Sequence, residues 1–156
     1  RHSMEETLRQ TIEVAKKGRK RGGLSALLFL DIDGFGDINA KLGPTSGDEL
    51  LISTGKMLKN SLRGGDTVYR FGGDEFAIIF KGISMAEARL AAERIQRTIN
   101  QHKFSIEYEK YNMYLSMGII QIDGTMDMVT LLSKALNALY KAKKLGKNQI
   151  VVYQEE

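Results

Sequence analysis

Asp66-Thr67-Val68-Tyr69-Arg70-Phe71-Gly72-Gly73-Asp74-Glu75-Phe76-Ala77-Ile78-Ile79-Phe80 lies near the middle of the chain and decides how the rest is read. Asp66 to Phe71 and Glu75 to Phe80 are two β-rich stretches, and Gly72-Gly73-Asp74 between them is a short hairpin signal. Glycine has no Cβ and takes positive φ freely, so paired glycines let a hairpin tip approach a ligand closely. Two acids follow at once. Neighbouring strand residues point to opposite faces, so at most one of Asp74 and Glu75 shares a face with an acid on an adjacent strand.

Upstream, Leu24 to Ile32 is an almost unbroken apolar run, the pattern of a strand buried on both faces. It ends on Asp31-Ile32-Asp33. Carboxylates at the end of an apolar strand are costly unless a cation or a hydrogen-bond network meets them. Either aspartate alone also reads as an ordinary turn or helix cap. If the hairpin lies beside this strand, Asp31 and Asp74 form a two-carboxylate cradle. Mg²⁺ suits such a cradle, taking a few carboxylates plus waters and phosphate oxygens.

The remaining elements follow from spacing. Glu5 to Lys20 has helical periodicity, stopped by Gly22-Gly23. Ser46-Gly47-Asp48-Glu49 and Ser84-Met85-Ala86-Glu87 read as capping boxes, the first opening a helix that runs to about Leu62. Gly34-Phe35-Gly36 reads as a turn in the loop before it. Phe104 to Tyr108 and Tyr111 to Ile122 read as an antiparallel pair. Met126 to Leu145 is a long helix ended by Gly146, and Ile150 to Tyr153 a closing strand. This order predicts an α+β fold, a ferredoxin-like or nucleotidyl-cyclase-like central antiparallel sheet flanked by helices, with an extra β-hairpin.

The length of 156 residues fits one domain, taken as 5–156, with Arg1-His2-Ser3-Met4 set aside as vector remnant. Hydrophobic residues at 42% and charged residues at 27% exclude a disordered tail, a collagen-like repeat and a coiled coil. No cysteine is present, which excludes a disulfide scaffold or thiolate zinc site and suits a reducing, cytoplasmic setting. The longest apolar run is far too short to span a bilayer, so no membrane contact is expected of this domain. A net charge of +4 attracts anions but falls short of a nucleic-acid footprint.

Gly72-Gly73-Asp74-Glu75-Phe76 is, letter for letter, the signature of the GGDEF family of diguanylate cyclases. Asp31 to Asp48 resembles the family's second hallmark, an Asp-x-Asp-x-Phe run followed by an Asn and then Gly-Asp. The resemblance extends from about Glu5 to Tyr153, although the family's usual opening motif, Asp-x-Leu-Thr-x-Leu-x-Asn-Arg, is absent. It implies condensation of two GTP into cyclic di-GMP, with release of two pyrophosphates, across a homodimer of such domains. An attached sensory or regulatory module, lying outside this sequence, would enforce the pairing.

The resemblance also assigns residues. Asp31, Asp74 and the backbone carbonyl of Ile32 would hold Mg²⁺ or Mn²⁺, and Glu75 would help with the metal or with activating the hydroxyl. The Phe35-Gly36 amides would cradle phosphates, and Gly72 and Gly73 would line the substrate. Lys143 and Lys147 match the basic pair of the family's Ala-Lys-x-x-Gly-Arg-Asn stretch and would contact phosphate. Asn39 and Asp48 match the guanine-reading pair. Arg63 and Asp66, with support from Arg94, would form a product-inhibition site. Each of these residues also has a plainer reading as turn, cap or solvated charge.

Four positions depart from the family pattern: Gly36 for a Lys, Ala40 for an Asp, Pro44 for a His and Leu136 for an Asp. Lys147 also stands where Arg is usual, without the bidentate fork. The competing expectation is therefore a degenerate GGDEF domain that binds GTP or cyclic di-GMP as a receptor without turning it over.

Overall fold

A computed structural model describes residues 2–18, 24–106 and 108–154. Helix α1 (His2–Lys17) leads into β1 (Ser25–Ile32); α2 (Phe35–Leu42) and α3 (Pro44–Asn60) precede the hairpin β2 (Thr67–Gly72) and β3 (Glu75–Phe80). Next come α4 (Met85–Gln101), the short strands β4 (Phe104–Ile106) and β5 (Glu109–Tyr111), then β6 (Leu115–Ile122), α5 (Met128–Lys144) and β7 (Ile150–Val152).

The main sheet has the order β2-β3-β1-β6-β7. In its first four strands each is antiparallel to its neighbours, in the ferredoxin-like order; β7 joins β6 in parallel, the connection being α5. The sheet separates two apolar layers. Leu28, Leu30, Phe76 and Ile78 face α3 and α4, whereas Leu27, Phe29, Ala77 and Ile79 face α1 and α5. All eight residues of β1 are buried, as the unbroken apolar run predicts. The alternation assigns Asp31, an odd-numbered residue, to the α5 face.

Gly118 sets how close α5 comes. A Cβ there would meet the Ala135 carbonyl oxygen at 2.7 Å and the Ala138 carbonyl carbon at 2.8 Å, so helix backbone lies directly on the strand. Small residues Ala135, Ala138 and Ala142 line the helix's buried side. This approach brings the last turn of α5 over the end of β1.

Several expectations need correction. The loop after β1 contains a helix, α2, whose Phe35, Ile38 and Leu42 lie against the core at helical spacing. The helix expected to open on the Ser46 capping box starts two residues earlier, with Gly43 at its N-cap and Pro44 in its first turn. Pro has a fixed helical φ and no amide to lose there, so it wins the start, and Ser46 is buried inside the helix. The capping box at Ser84 forms as read, with both reciprocal bonds between Ser84 and Glu87. The expected pair Phe104–Tyr108 and Tyr111–Ile122 divides in three: β4 pairs with β5 as a separate hairpin, and β6 pairs with β1. Helix α1 begins ahead of the expected Glu5, and Met4 is buried in it with Leu8 and Ile12. The end of the predicted first helix and its Gly22-Gly23 stop lie outside the described residues.

Candidate active site

The site gathers at the end of β1 and the tip of the β2–β3 hairpin. Register pairs Asp31 directly with Glu75 across the ladder, so these two share the α5 face. The Asp74 carbonyl accepts a 3.4 Å bond from the Ile32 amide. Asp74 sits in the turn between β2 and β3, outside the alternation of either strand. The either-or expected for Asp74 and Glu75 treats both as strand residues; Asp74 lies instead in the turn, and its charge acts on Asp31.

Asp31 is 4% exposed. Burial pushes its carboxyl up to about 6; the Lys143 ammonium, hydrogen-bonded to Oδ2, pulls it down, while the charges of Asp74 and Asp33 push it up. Burial alone would lower the Lys143 ammonium, but its bond to Asp31 and the charges of Asp31, Asp74 and Asp33 outweigh that and raise it. Asp31 Oδ1 is buried without a hydrogen-bond partner. A buried, unpaired carboxylate oxygen is expensive, and a hard cation is a fitting partner for it. The oxygen-rich donor set of Asp31, Asp74 and the nearby Ile32 carbonyl thus fits Mg²⁺ or Mn²⁺. Among the described residues no group of three or more His, Cys, Asp or Glu side chains gathers to ligate a metal, so the remaining positions would fall to water and phosphate.

The glycines of the tip behave differently from the expectation. Neither Gly72 nor Gly73 has positive φ. A Cβ on Gly73 would meet nothing within 4 Å, and one on Gly72 only Glu75 Oε1 at 3.9 Å. Neither strain nor internal packing demands glycine here, which leaves room above the tip for something other than the protein itself.

Gly34-Phe35-Gly36, expected as a turn, is the start of α2. Gly34 takes φ 70° as the N-cap and no side chain caps the helix. The amides of Phe35, Gly36 and Asp37 have no intrahelical acceptor, as at any helix start, and present a positive end. Asn39 packs against Gly47: a Cβ at position 47 would overlap its Oδ1. Asp48, the next residue along α3, is exposed beside it.

Asp33 spends both oxygens inside the protein. Oδ1 accepts from the Ser116 hydroxyl at 2.6 Å and Oδ2 from the Asn148 amide at 2.7 Å. Lys147, exposed, precedes Asn148 in the turn after α5. Ser116 did not stand out in the sequence, and Asn148 entered only as the last residue of the stretch matched for its basic pair, because no spacing rule links residues 33, 116 and 148.

Arg63 and Asp66 lie away from this cluster, on the turn between α3 and β2. Arg63 grips Asp66 through Nε at 3.0 Å and Nη2 at 3.2 Å and also donates to the Lys81 carbonyl at 2.9 Å. A cleft of about 410 Å³ opens over this turn, lined by Lys59, Leu62, Arg63, Asp66 and Tyr69 among others. Arg94, on α4, donates to the Ser61 carbonyl at 3.2 Å instead of lining the cleft.

Fold and site together define a GGDEF domain, and the comparisons agree: the family model "Diguanylate cyclase, GGDEF domain" matches residues 1–149, so the chain belongs to that family. It is 34% identical to diguanylate cyclase DgcS of Shewanella oneidensis over 95% of this chain, which is 48% of that protein. The solved active GGEEF domain of a diguanylate cyclase from Vibrio cholerae superposes with a TM-score of 0.89, at 28% identity over 100% of this chain and 97% of that one. The GGDEF domain of PA1120 from Pseudomonas aeruginosa gives a TM-score of 0.92, at 28% identity over 100% of this chain and 96% of that one. The chain spans about half or less of the length of the curated relatives it matches. No helix among the described residues is long and apolar enough to cross a membrane.

Proposed function

We propose that this chain is the catalytic domain of a diguanylate cyclase, joining two GTP into cyclic di-GMP. The observation that carries the reading is Asp31: a buried carboxylate with one oxygen unpaired, directly opposite Glu75 and within the field of Asp74. In each half-reaction a ribose 3′-oxygen forms a bond to the α-phosphorus of the other GTP. The bond from that phosphorus to the pyrophosphate oxygen breaks, and pyrophosphate leaves. Two such transfers close the ring. One domain binds one GTP, so a second copy must face the first.

Mg²⁺ or Mn²⁺ on Asp31, Asp74 and the Ile32 carbonyl would supply charge neutralisation on the triphosphate and a lowered pKa for the attacking hydroxyl. Glu75, on the same face, would accept the hydroxyl proton. The open space over Gly72 and Gly73 would admit the nucleotide. The amides at Phe35 and Gly36 would receive the terminal phosphates, and Lys143 and Lys147 would neutralise them. Asp48 would accept from the N1 and N2 donors of guanine while the Asn39 amide serves the remaining edge, a pairing worth roughly 1–3 kcal/mol against adenine. The Arg63–Asp66 turn and its cleft would take cyclic di-GMP as an inhibitor, with Arg94 in support.

The test is incubation of an artificially dimerised sample with GTP and Mg²⁺, with products resolved by chromatography. Cyclic di-GMP is expected. GTP bound but unconverted would instead make the domain a nucleotide receptor.

A further inference from the structure

The turn after α5 holds three consecutive residues at positive φ: Gly146 at 117°, Lys147 at 63° and Asn148 at 50°. Only the first is glycine. Left-handed backbone at non-glycine residues persists where surrounding contacts over-determine it. Here the contacts converge on Asn148 from three directions. Its amide donates to Asp33 Oδ2 at 2.7 Å, its carbonyl accepts from Gln96 Nε2 at 3.0 Å, and its Oδ1 accepts from Asn100 Nδ2 at 3.3 Å. Asp33 is fixed in turn by the Ser116 hydroxyl at 2.6 Å.

We infer that Asp33 is a positioning residue: with Ser116 and Asn148 it clasps the strained turn onto the end of β1, and so sets where Lys143 and Lys147 stand. Asp33 lies two residues from Asp31 and carries a carboxylate, yet both its oxygens already have donors, so it is occupied as an anchor. The clasp joins four elements, the end of β1, strand β6, helix α4 and the turn leaving α5. Lys143 is five residues before Asn148, in the last turn of α5, and touches Asp31. Lys147 is the immediate neighbour of Asn148 inside the left-handed run. Releasing the Asn148 amide would let the turn relax to ordinary φ and shift Lys147, the residue before it. Asparagine is among the residues that tolerate left-handed backbone best after glycine.

This rests on the reading of the site as a GTP site, and the test separates the two. Four variants are compared with the parent: Ser116→Ala, Asp33→Asn, Asn148→Ala and Asn148→Gly. The probes are α,β-methylene GTP with Mg²⁺, measured by calorimetry, and Mn²⁺ alone. Supporting groups behind a metal or phosphate site commonly matter by about tenfold or more, so Ser116→Ala and Asp33→Asn are expected to weaken the analogue by about tenfold. Asn148→Gly keeps the backbone bonds and the left-handed turn and should stay within about twofold of the parent, whereas Asn148→Ala, strained at that φ, should not. Mn²⁺ affinity should fall less than analogue affinity in Ser116→Ala, because the clasp positions Lys143 and Lys147, which would meet phosphate, and supplies no ligand to the ion. Parental analogue affinity in Ser116→Ala and Asp33→Asn would overturn the inference, as would equal loss in both Asn148 variants. An equal fall of Mn²⁺ and analogue binding in Ser116→Ala would make Asp33 a ligand and reject the anchor role. Hydrogen exchange at the Asn148 amide is independent of nucleotide: slow in the parent and fast in a further variant, Asp33→Ala, which leaves no acceptor at that position, supports the clasp, and equal rates refute it. A parent that protects this amide but binds no analogue would refute the GTP reading, and the nucleotide role of the clasp with it.

Discussion

Asp31→Asn should make the metal-free protein more stable at neutral pH, although it removes half of an ion pair. Burial raises the Asp31 carboxyl from 3.8 to about 6, so the folded state favours the protonated form more than the unfolded chain does. The sign follows from linkage: this contribution is fully present below the unfolded value and is lost as pH rises through the folded one. A shift of about two units corresponds to roughly 3 kcal/mol, drained between about pH 4 and pH 7. Asparagine carries no charge and should abolish that slope. The Lys143 ammonium titrates far above this window and does not contribute to it. Urea denaturation with EDTA present, at half-unit steps from pH 4 to 7.5, gives the stability difference between the two proteins. The expected curve favours the variant progressively as pH rises, by roughly 3 kcal/mol across the range. A difference that stays flat would show that Asp31 is solvated or fully compensated, and would remove the physical basis for a cation site at this oxygen. In the parent, saturating Mg²⁺ should restore stability at neutral pH, by about 2.7 kcal/mol at a hundred times the dissociation constant.

Gly118→Ala should force α5 away from β6 and cost about 1–3 kcal/mol or more, since the new methyl meets helix backbone that cannot step aside; an unchanged urea midpoint would contradict the close packing that brings Lys143 to Asp31. Gly73→Ala should leave the urea midpoint within about 1 kcal/mol, because its Cβ meets nothing, yet lower GTP affinity at least tenfold; intact GTP binding would mean the space over the tip is unused. Arg63→Ala should relieve inhibition by added cyclic di-GMP, read as product affinity in calorimetry. That loss should come with a stability cost of about 1–3 kcal/mol, since the Asp66 carboxylate is nearly buried and loses both of its bonds from Arg63.

The β1 run, the β2–β3 hairpin and the Ser84 capping box were legible because each is a local pattern with one dominant cause. Two stretches were not. Phe35, Ile38 and Leu42 carry helical spacing, but Gly34, Gly36 and Gly43-Pro44 crowd round them and mimic a loop. At the start of α3, Pro44 and Ser46 competed as helix starts, and the proline's fixed φ prevailed over the serine's capping bond. The carboxylates of the site could be named from their position at strand ends. The Asp31–Glu75 register and the place of Asp74 in the turn could not, since both depend on where the hairpin docks. The Asp33–Ser116–Asn148 bonds span up to 115 residues of sequence and belong to tertiary structure alone.

The account depends on the carboxylates of Asp31 and Asp74 sharing one divalent cation beside the nucleotide. Mn²⁺ binding in the presence of α,β-methylene GTP, followed by electron paramagnetic resonance on the parent, Asp31→Asn and Asp74→Asn, measures this directly. One nucleotide-linked class of bound Mn²⁺ is expected in the parent, lost in each single variant. Parental Mn²⁺ binding in either variant would contradict the shared site.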